Sequence, residues 1–352
     1  MRTNYSSILP RWMALIGLSF IACHLSFSKA QAASPYDNPD TIVVSRDGTG
    51  QFRTISDAIE VCRAFMDYHK VIFVKRGTYK EKLIIPQWLQ NIEICGEDRD
   101  ATIITYDDHA NIPMDGGNWS PVLTKQLLAM GERPKLGTFR SFTVRVDASN
   151  ITFKNITIEN NSARLGQAVA LHTMGDRLLF VNCRFLGHQD TIYTGAANTR
   201  MLFDHCYIEG TTDFIFGPST AWFEQCDIYC KADSYITAAS TPQDVAYGYV
   251  FNKCRISCAP GITKVYLGRP WRDYGYTLFM HCTMPEQIRP EGWHHWQKQR
   301  EQTARYLEFE NNGPGADTSK RAAWSRQLTK KEARDVTMEN VFRREDNWKM
   351  AH

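Results

Sequence analysis

The segment Leu179-Phe180-Val181-Asn182-Cys183-Arg184-Phe185 returns as Leu202-Phe203-Asp204-His205-Cys206-Tyr207-Ile208 and as Trp222-Phe223-Glu224-Gln225-Cys226-Asp227-Ile228. It returns again as Val250-Phe251-Asn252-Lys253-Cys254-Arg255-Ile256 and Leu278-Phe279-Met280-His281-Cys282-Thr283-Met284. The stretch Ile151-Thr152-Phe153-Lys154-Asn155-Ile156-Thr157-Ile158 shares the aromatic residue without the cysteine. Successive cysteines are 23, 20, 28 and 28 residues apart. A variable period in the twenties, with one short β-rich segment per turn, is the signature of a solenoid. The segments alternate in character, are rich in Phe, Ile and Val, and are separated by Gly, Asn, Asp and Pro. The expected fold is all-β, a parallel β-helix in which the aligned cysteines point inward and stack as small apolar groups, because free Cys is among the most buried residue types. Cys230 and Cys258 follow Cys226 and Cys254 by four residues on the same strand face and extend the stack. If a disulfide forms instead, they are the expected pair.

Around this core, Thr54 to Met66 places Ile55, Ala58, Ile59, Cys62, Phe65 and Met66 at helical spacing with Thr54 as N-cap. A short helix capping the open end of the solenoid is expected there. Residues 107 to 137 are rich in Gly, Pro and Asp and read as a long loop, and residues 311 to 320 as an irregular turn before a polar, partly helical tail.

The 352 residues carry a formal charge of +3, with 43% hydrophobic, 22% charged and 12% aromatic residues, which excludes a disordered chain. The charge surplus sits at the amino terminus. Arg2, Arg11 and Lys29 flank the apolar run Trp12 to Ala22 with no acid among them, and Ala30-Gln31-Ala32 has the small-x-small pattern of a cleavage site. Residues 1–32 therefore read as a signal peptide, and residues 33–352 as one domain secreted or delivered to the periplasm. Removing the leader leaves 38 basic and 38 acidic side chains, so neither a nucleic-acid nor an acidic partner is expected. The alternative is a lipoprotein site at Phe20-Ile21-Ala22-Cys23, with Cys23 lipidated. No other run approaches the ~20 apolar residues of a membrane span.

Asp190 and Asp213 each lie seven residues after an aligned cysteine. In register they occupy equivalent places on consecutive coils, and neighbouring strands are ~4.8 Å apart. Two carboxylates that close cannot both ionise easily, so one holds its proton while the other is charged. Such a pair suits acid/base or nucleophilic chemistry. Tyr193 and Phe216 each follow their aspartate by three, a spacing expected to stack them as aromatic faces suited to sugar rings. The bland alternative is a structural polar ladder, and Asp233, seven after Cys226, would extend it to a third member.

Four blocks, Gly166-Gln167-Ala168-Val169-Ala170-Leu171, Gly187-His188-Gln189-Asp190-Thr191-Ile192-Tyr193, Asp213-Phe214-Ile215-Phe216-Gly217 and Leu267-Gly268-Arg269-Pro270-Trp271, resemble the signature blocks of pectin methylesterases, in family order. Asp47-Gly48-Thr49-Gly50-Gln51-Phe52, Gly77-Thr78-Tyr79-Lys80-Glu81 and Asn312-Gly313-Pro314-Gly315-Ala316 agree, so the resemblance spans roughly residues 41 to 335. It implies a right-handed single-stranded parallel β-helix of the pectin lyase-like kind and a pectinesterase that hydrolyses the C6 methyl esters of galacturonate in pectin (homogalacturonan). It implies Asp213 as nucleophile, Asp190 as acid then base, Gln167 and Gln189 as oxyanion donors, Arg269 as the partner that keeps Asp213 ionised, and Trp271, Tyr193 and Phe216 as a sugar-binding floor. No metal or cofactor is needed, and a monomer is expected. His172, His188, Tyr79 and Glu81 read as structural. Two alternatives remain: a β-helix carbohydrate-binding surface lipoprotein, or an esterase acting on a non-pectin ester.

Overall fold

The structure, a computed structural model, describes residues 41–114, 129–131, 134–346 and 348. The signal-peptide segment, Cys23 and the middle of the 107–137 loop lie outside the described residues. The chain winds as a parallel β-helix. One sheet has eleven strands and two have seven, and in each the strands stack in steps of one coil. The coil that starts at Leu178–Val181 continues through Arg184–Leu186 and Ile192–Thr194. The next repeats this with Arg200–Asp204, Tyr207–Gly210 and Ile215–Gly217. All three pairs are parallel and in register, with Phe180 beside Phe203, Phe185 beside Ile208 and Tyr193 beside Phe216.

The repeated Phe and Cys positions form two interior columns. Phe153, Phe180, Phe203, Phe223, Phe251 and Phe279 stack face to face with centroid separations from 5.6 down to 4.3 Å. Each aligned thiol donates to the phenylalanine carbonyl of the preceding coil: Cys183 to Phe153, Cys206 to Phe180, Cys226 to Phe203, Cys254 to Phe223 and Cys282 to Phe251, at 3.3–3.5 Å. The nine described cysteines are free thiols. Cys230 and Cys258 stand side by side in register without a bond between them. The residue before each column position, Asn155, Asn182, His205, Gln225, Lys253 and His281, is left-handed with φ of 49–55°. That conformation turns the chain from one sheet to the next and costs roughly 1–2 kcal/mol for a residue other than Gly.

A short helix spans Ile55–Glu60, with Thr54 accepting from the Asp57 N–H, and ends well before Met66. Ile55, Ala58 and Ile59 are buried against the first coils. The base of the 107–137 loop is a short antiparallel pairing of Pro113 with Lys135.

The tail has a role that its polarity hides. Leu202, Trp222, Val250, Leu278 and Leu307 project from the outer face of the eleven-stranded sheet. Helices Lys330–Asp335 and Met338–Phe342, with Val336 between them, cover them through Ala333, Val336, Val341 and Phe342. A latch holds the end of the tail: Arg200, 1% exposed, donates to Asp176, to the Phe342 carbonyl and, at 2.8 Å, to Asp346.

Candidate active site

The seven-stranded sheet that contains Leu171–Thr173, Ile192–Thr194 and Ile215–Gly217 sets His172, Tyr193, Phe216 and Ala238 in one column. Asp190 and Asp213 enter this sheet at equivalent places on adjacent coils. Both are left-handed, with φ of 68° and 49°. Their N–H groups stay in the ladder, Asp190 donating to the Thr212 carbonyl at 3.1 Å and Asp213 to the Tyr235 carbonyl at 2.9 Å. Strained backbone so anchored fixes where the two carboxyls point. Gly210 makes the turn possible, since a Cβ there would lie 2.2 Å from the Phe214 side chain and 2.7 Å from the His188 carbonyl.

The third aspartate does not join the pair. Thr237, not a residue two positions earlier, is the partner of Ile215, because the turn after Cys230 is longer. Asp233 instead accepts from the N–H groups of Thr263 and Lys264 and faces solvent.

Gln167, Gln189, Asp190, Asp213, Phe216 and Trp271 line one cleft of about 220 Å³. Asp190 and Asp213 are only 8% and 5% exposed. Arg269 forks onto Asp213 alone, Nε to Oδ1 at 3.0 Å and Nη2 to Oδ2 at 2.7 Å. Gly268 lets its strand approach so closely, for a Cβ there would meet the Thr237 hydroxyl at 2.0 Å. Burial pushes both carboxyls above their ordinary range. In Asp213 the hydrogen bonds and charge of Arg269 work against that push. In Asp190 the neighbouring Asp213 charge adds to it, the more distant Arg269 relieves little, and the carboxyl rises well above the ordinary value. Asp213 is thus the first of the pair to ionise and Asp190 the last.

Tyr193 and Phe216 stack at 4.7 Å, and Trp271 meets the Phe216 ring edge-on at 5.8 Å. Phe216 and Trp271 line the cleft, whereas Tyr193 supports Phe216 from beneath Phe139, 4.8 Å away. His172 lies under Phe139, Phe142 and Tyr193 with neither ring nitrogen partnered. Burial, helped by Arg145, brings it down to about 4. His188 falls to about 4 through burial and the charges of Lys231 and Arg164. Both imidazoles are neutral at neutral pH.

Sequence reasoning missed Thr138, Phe139, Ala238 and Trp296, which complete the cleft, and Tyr235, which packs on Arg269. Thr138, Phe139 and Trp296 come from irregular segments with no repeat to register them. Tyr235 occupies the Asp213 place one coil further on, but two extra residues in the turn after Cys230 make the cysteine count point to Asp233 instead. Among the described residues no group of three or more His, Cys, Asp or Glu side chains is arranged to hold a metal ion.

Residues 41–345 match the pectinesterase family model. The chain is 36% identical over 293 residues to pectinesterase 31 of Arabidopsis thaliana, covering 82% of this chain and 88% of that one. It is 35% identical over 301 residues to a probable pectinesterase/pectinesterase inhibitor of Brassica napus, covering 81% of this chain but spanning only 48% of the relative's length. Among solved structures, the pectin methylesterase from carrot superposes with a TM-score of 0.74 at 30% identity, over 85% of this chain and 92% of the carrot chain. A pectin methylesterase in complex with a hexasaccharide superposes with a TM-score of 0.70 at 27% identity, over 85% and 96% of the two chains.

Proposed function

The chain belongs to the pectinesterase family, and from that premise we propose that it hydrolyses the C6 methyl esters of galacturonate in pectin, releasing methanol and pectate. The observation that carries this reading is the asymmetric pair: two buried aspartates one coil apart, of which only Asp213 is forked by Arg269. A charged and a protonated carboxyl side by side supply a nucleophile and an acid at the same ester.

The steps follow from that division. A carboxylate oxygen of Asp213 attacks the ester carbonyl carbon, and the side-chain amides of Gln167 and Gln189 stabilise the oxygen that becomes negative, the type of donor that lowers such barriers most. Collapse breaks the bond to the methoxy oxygen, which takes the proton of Asp190 and departs as methanol. The remaining acyl group is an anhydride on Asp213. Asp190, now ionised, takes a proton from water, the hydroxide adds to the acyl carbon, and the Asp213 carboxylate leaves. The product is the galacturonate carboxyl group, and both aspartates return to their starting states. Phe216 and Trp271 offer the sugar an apolar floor. The leader-like first 32 residues support export to the periplasm or the medium, where the enzyme is read as acting as a monomer.

Methanol release from highly methylated pectin tests the reading. The wild type is expected to be active and Asp213→Ala and Asp190→Ala to lose nearly all of it. Equal release by all three would refute the mechanism, and none by any of them would refute the substrate.

A further inference from the structure

Hydrogen bonding to Asp213 does not by itself explain how Arg269 is held. The guanidinium carbon lies 3.9 Å from the centre of the Tyr235 ring and 3.9 Å from the centre of the Trp296 ring. The cation is thus covered by aromatic rings, while Nε and Nη2 are engaged by Asp213. Both rings are fixed in turn. Tyr235 stacks on Tyr266 at 5.2 Å with planes 11° apart. Trp296 is left-handed, with φ of 57°, and donates its N–H to His294 Nδ1. Its segment is anchored by Arg300, which is 8% exposed and donates to the Pro270 carbonyl at 2.8 Å. Tyr235 also supplies the carbonyl that receives the Asp213 N–H. One residue therefore fixes the backbone of the Asp213 turn and supports the cation that faces it.

We infer that Tyr235 and Trp296 are positioning residues that clamp Arg269 so that its fork serves Asp213 and not Asp190, and that this clamp decides which member of the pair is ionised. The inference rests on the roles given to the two aspartates under Proposed function. Its physical basis is that a guanidinium is planar and weakly hydrated, and stacks on aromatic faces without losing its in-plane donors. Released from the rings, Arg269 has the reach to share its charge with Asp190, one strand spacing of ~4.8 Å away. Asp213 would then lose part of its cation and hold its proton to higher pH, while Asp190 would lose its proton more easily.

The other titratable groups around the clamp do not supply the same effect. His294, beside Tyr235 at 5.6 Å, is held below its ordinary value by burial and by the charges of His295, Arg269 and Arg289, so it is neutral at neutral pH. Tyr306, which senses the Asp213 charge, is a buried phenol held far above its ordinary value and stays neutral too.

The test is the pH profile of kcat/KM for methanol release by the wild type, Tyr235→Leu, Tyr235→Phe, Trp296→Leu and Trp296→Phe. Tyr235 is not among the residues lining the cleft, so its variants separate clamping from sugar contact. In the two Leu variants the acid limb is expected to move up by about 1 pH unit, which is roughly a tenfold loss well below its midpoint. The Phe variants, which keep a ring, are expected to follow the wild type. A Tyr235→Leu protein with native circular dichroism and an unmoved acid limb would overturn the clamp. If that variant does not fold, Trp296→Leu decides: a raised KM with an unmoved limb would make Trp296 a sugar contact only and overturn the clamp. A wild type that releases no methanol would overturn the functional reading and the clamp with it, whereas an active wild type with unmoved variants overturns the clamp alone.

Discussion

Replacing Arg200 by Met removes the centre of the latch that ties the tail to the solenoid while keeping most of the aliphatic volume. In the native protein the guanidinium is 1% exposed and bonds Asp176, Asp346 and the Phe342 carbonyl. Removing one member of a buried ion pair generally costs about 3–5 kcal/mol, because the partner is left uncompensated. Two facts place this case at the low end. Asp176 keeps Arg177 at 3.1 Å and the backbone N–H of residue 200 at 2.7 Å. Asp346 is at the surface, where solvent screens its loss. About 3 kcal/mol is therefore expected, or a fall in Tm of about 4–5 °C for a chain of this size. The effect also has a pH signature. Burial raises Asp176 but the bonds and charge of Arg200 lower it further, so its folded value is depressed, as is that of Asp346. Stability from a depressed carboxyl is fully present above the unfolded value near ~4 and is lost as pH falls through the folded value, so the two melting curves should converge in acid. Differential scanning calorimetry at pH 7 and pH 3 measures both, and limited tryptic cleavage at Lys330, Lys331 and Arg334 reports whether the tail has lifted. Methanol release should be unchanged, since the latch holds no residue of the cleft. A Tm within 1 °C of the wild type at pH 7, with the tail equally protected, would refute the assignment of the latch.

Two other outcomes follow from the site and the core. The pH profile of kcat/KM should be a bell whose acid limb, set by Asp213, lies above the ordinary carboxylate value and whose alkaline limb, set by Asp190, lies well above that; Asp190→Asn should lose the alkaline limb along with most of the rate, and an unchanged limb in that variant would assign it elsewhere. Cys226→Ala should cost about 1–2 kcal/mol in urea unfolding, from the lost sulfur contacts and the bond to the Phe203 carbonyl, and a thiol reagent should reach Cys95 and Cys258, which are partly exposed, long before the aligned cysteines in the folded protein.

What the sequence revealed depended on periodicity. The cysteines register the coils, and that register alone places Asp190 beside Asp213. The same counting erred at Asp233, because two extra residues in a turn are invisible to a period taken from the strand before it. Trp296 and Phe139 reach the cleft from irregular segments, where proximity is decided by tertiary packing and no spacing encodes it. The left-handed positions were only partly hidden: Asn182, His205 and His281 are of types enriched in that conformation, whereas Gln225 and Lys253 are not. The covering tail did leave a trace. Each aligned segment carries Leu179, Leu202, Trp222, Val250 or Leu278 just before its phenylalanine, on the face that alternation assigns to the outside. An apolar outward column predicts a cover, and the chain supplies one from its own carboxyl end.

Asp190 and Asp213 sit on different turns of the winding, so their separation is inherited from the pitch of the solenoid. That length is set by main-chain hydrogen bonds and varies less than almost any other in protein architecture. Repacking the interior should therefore change how hard the molecule is to melt long before it changes how far apart the reacting groups stand. The tolerance of the chemistry to sequence drift is then a property of the backbone, with side chains needed only to say which carboxyl bears the charge.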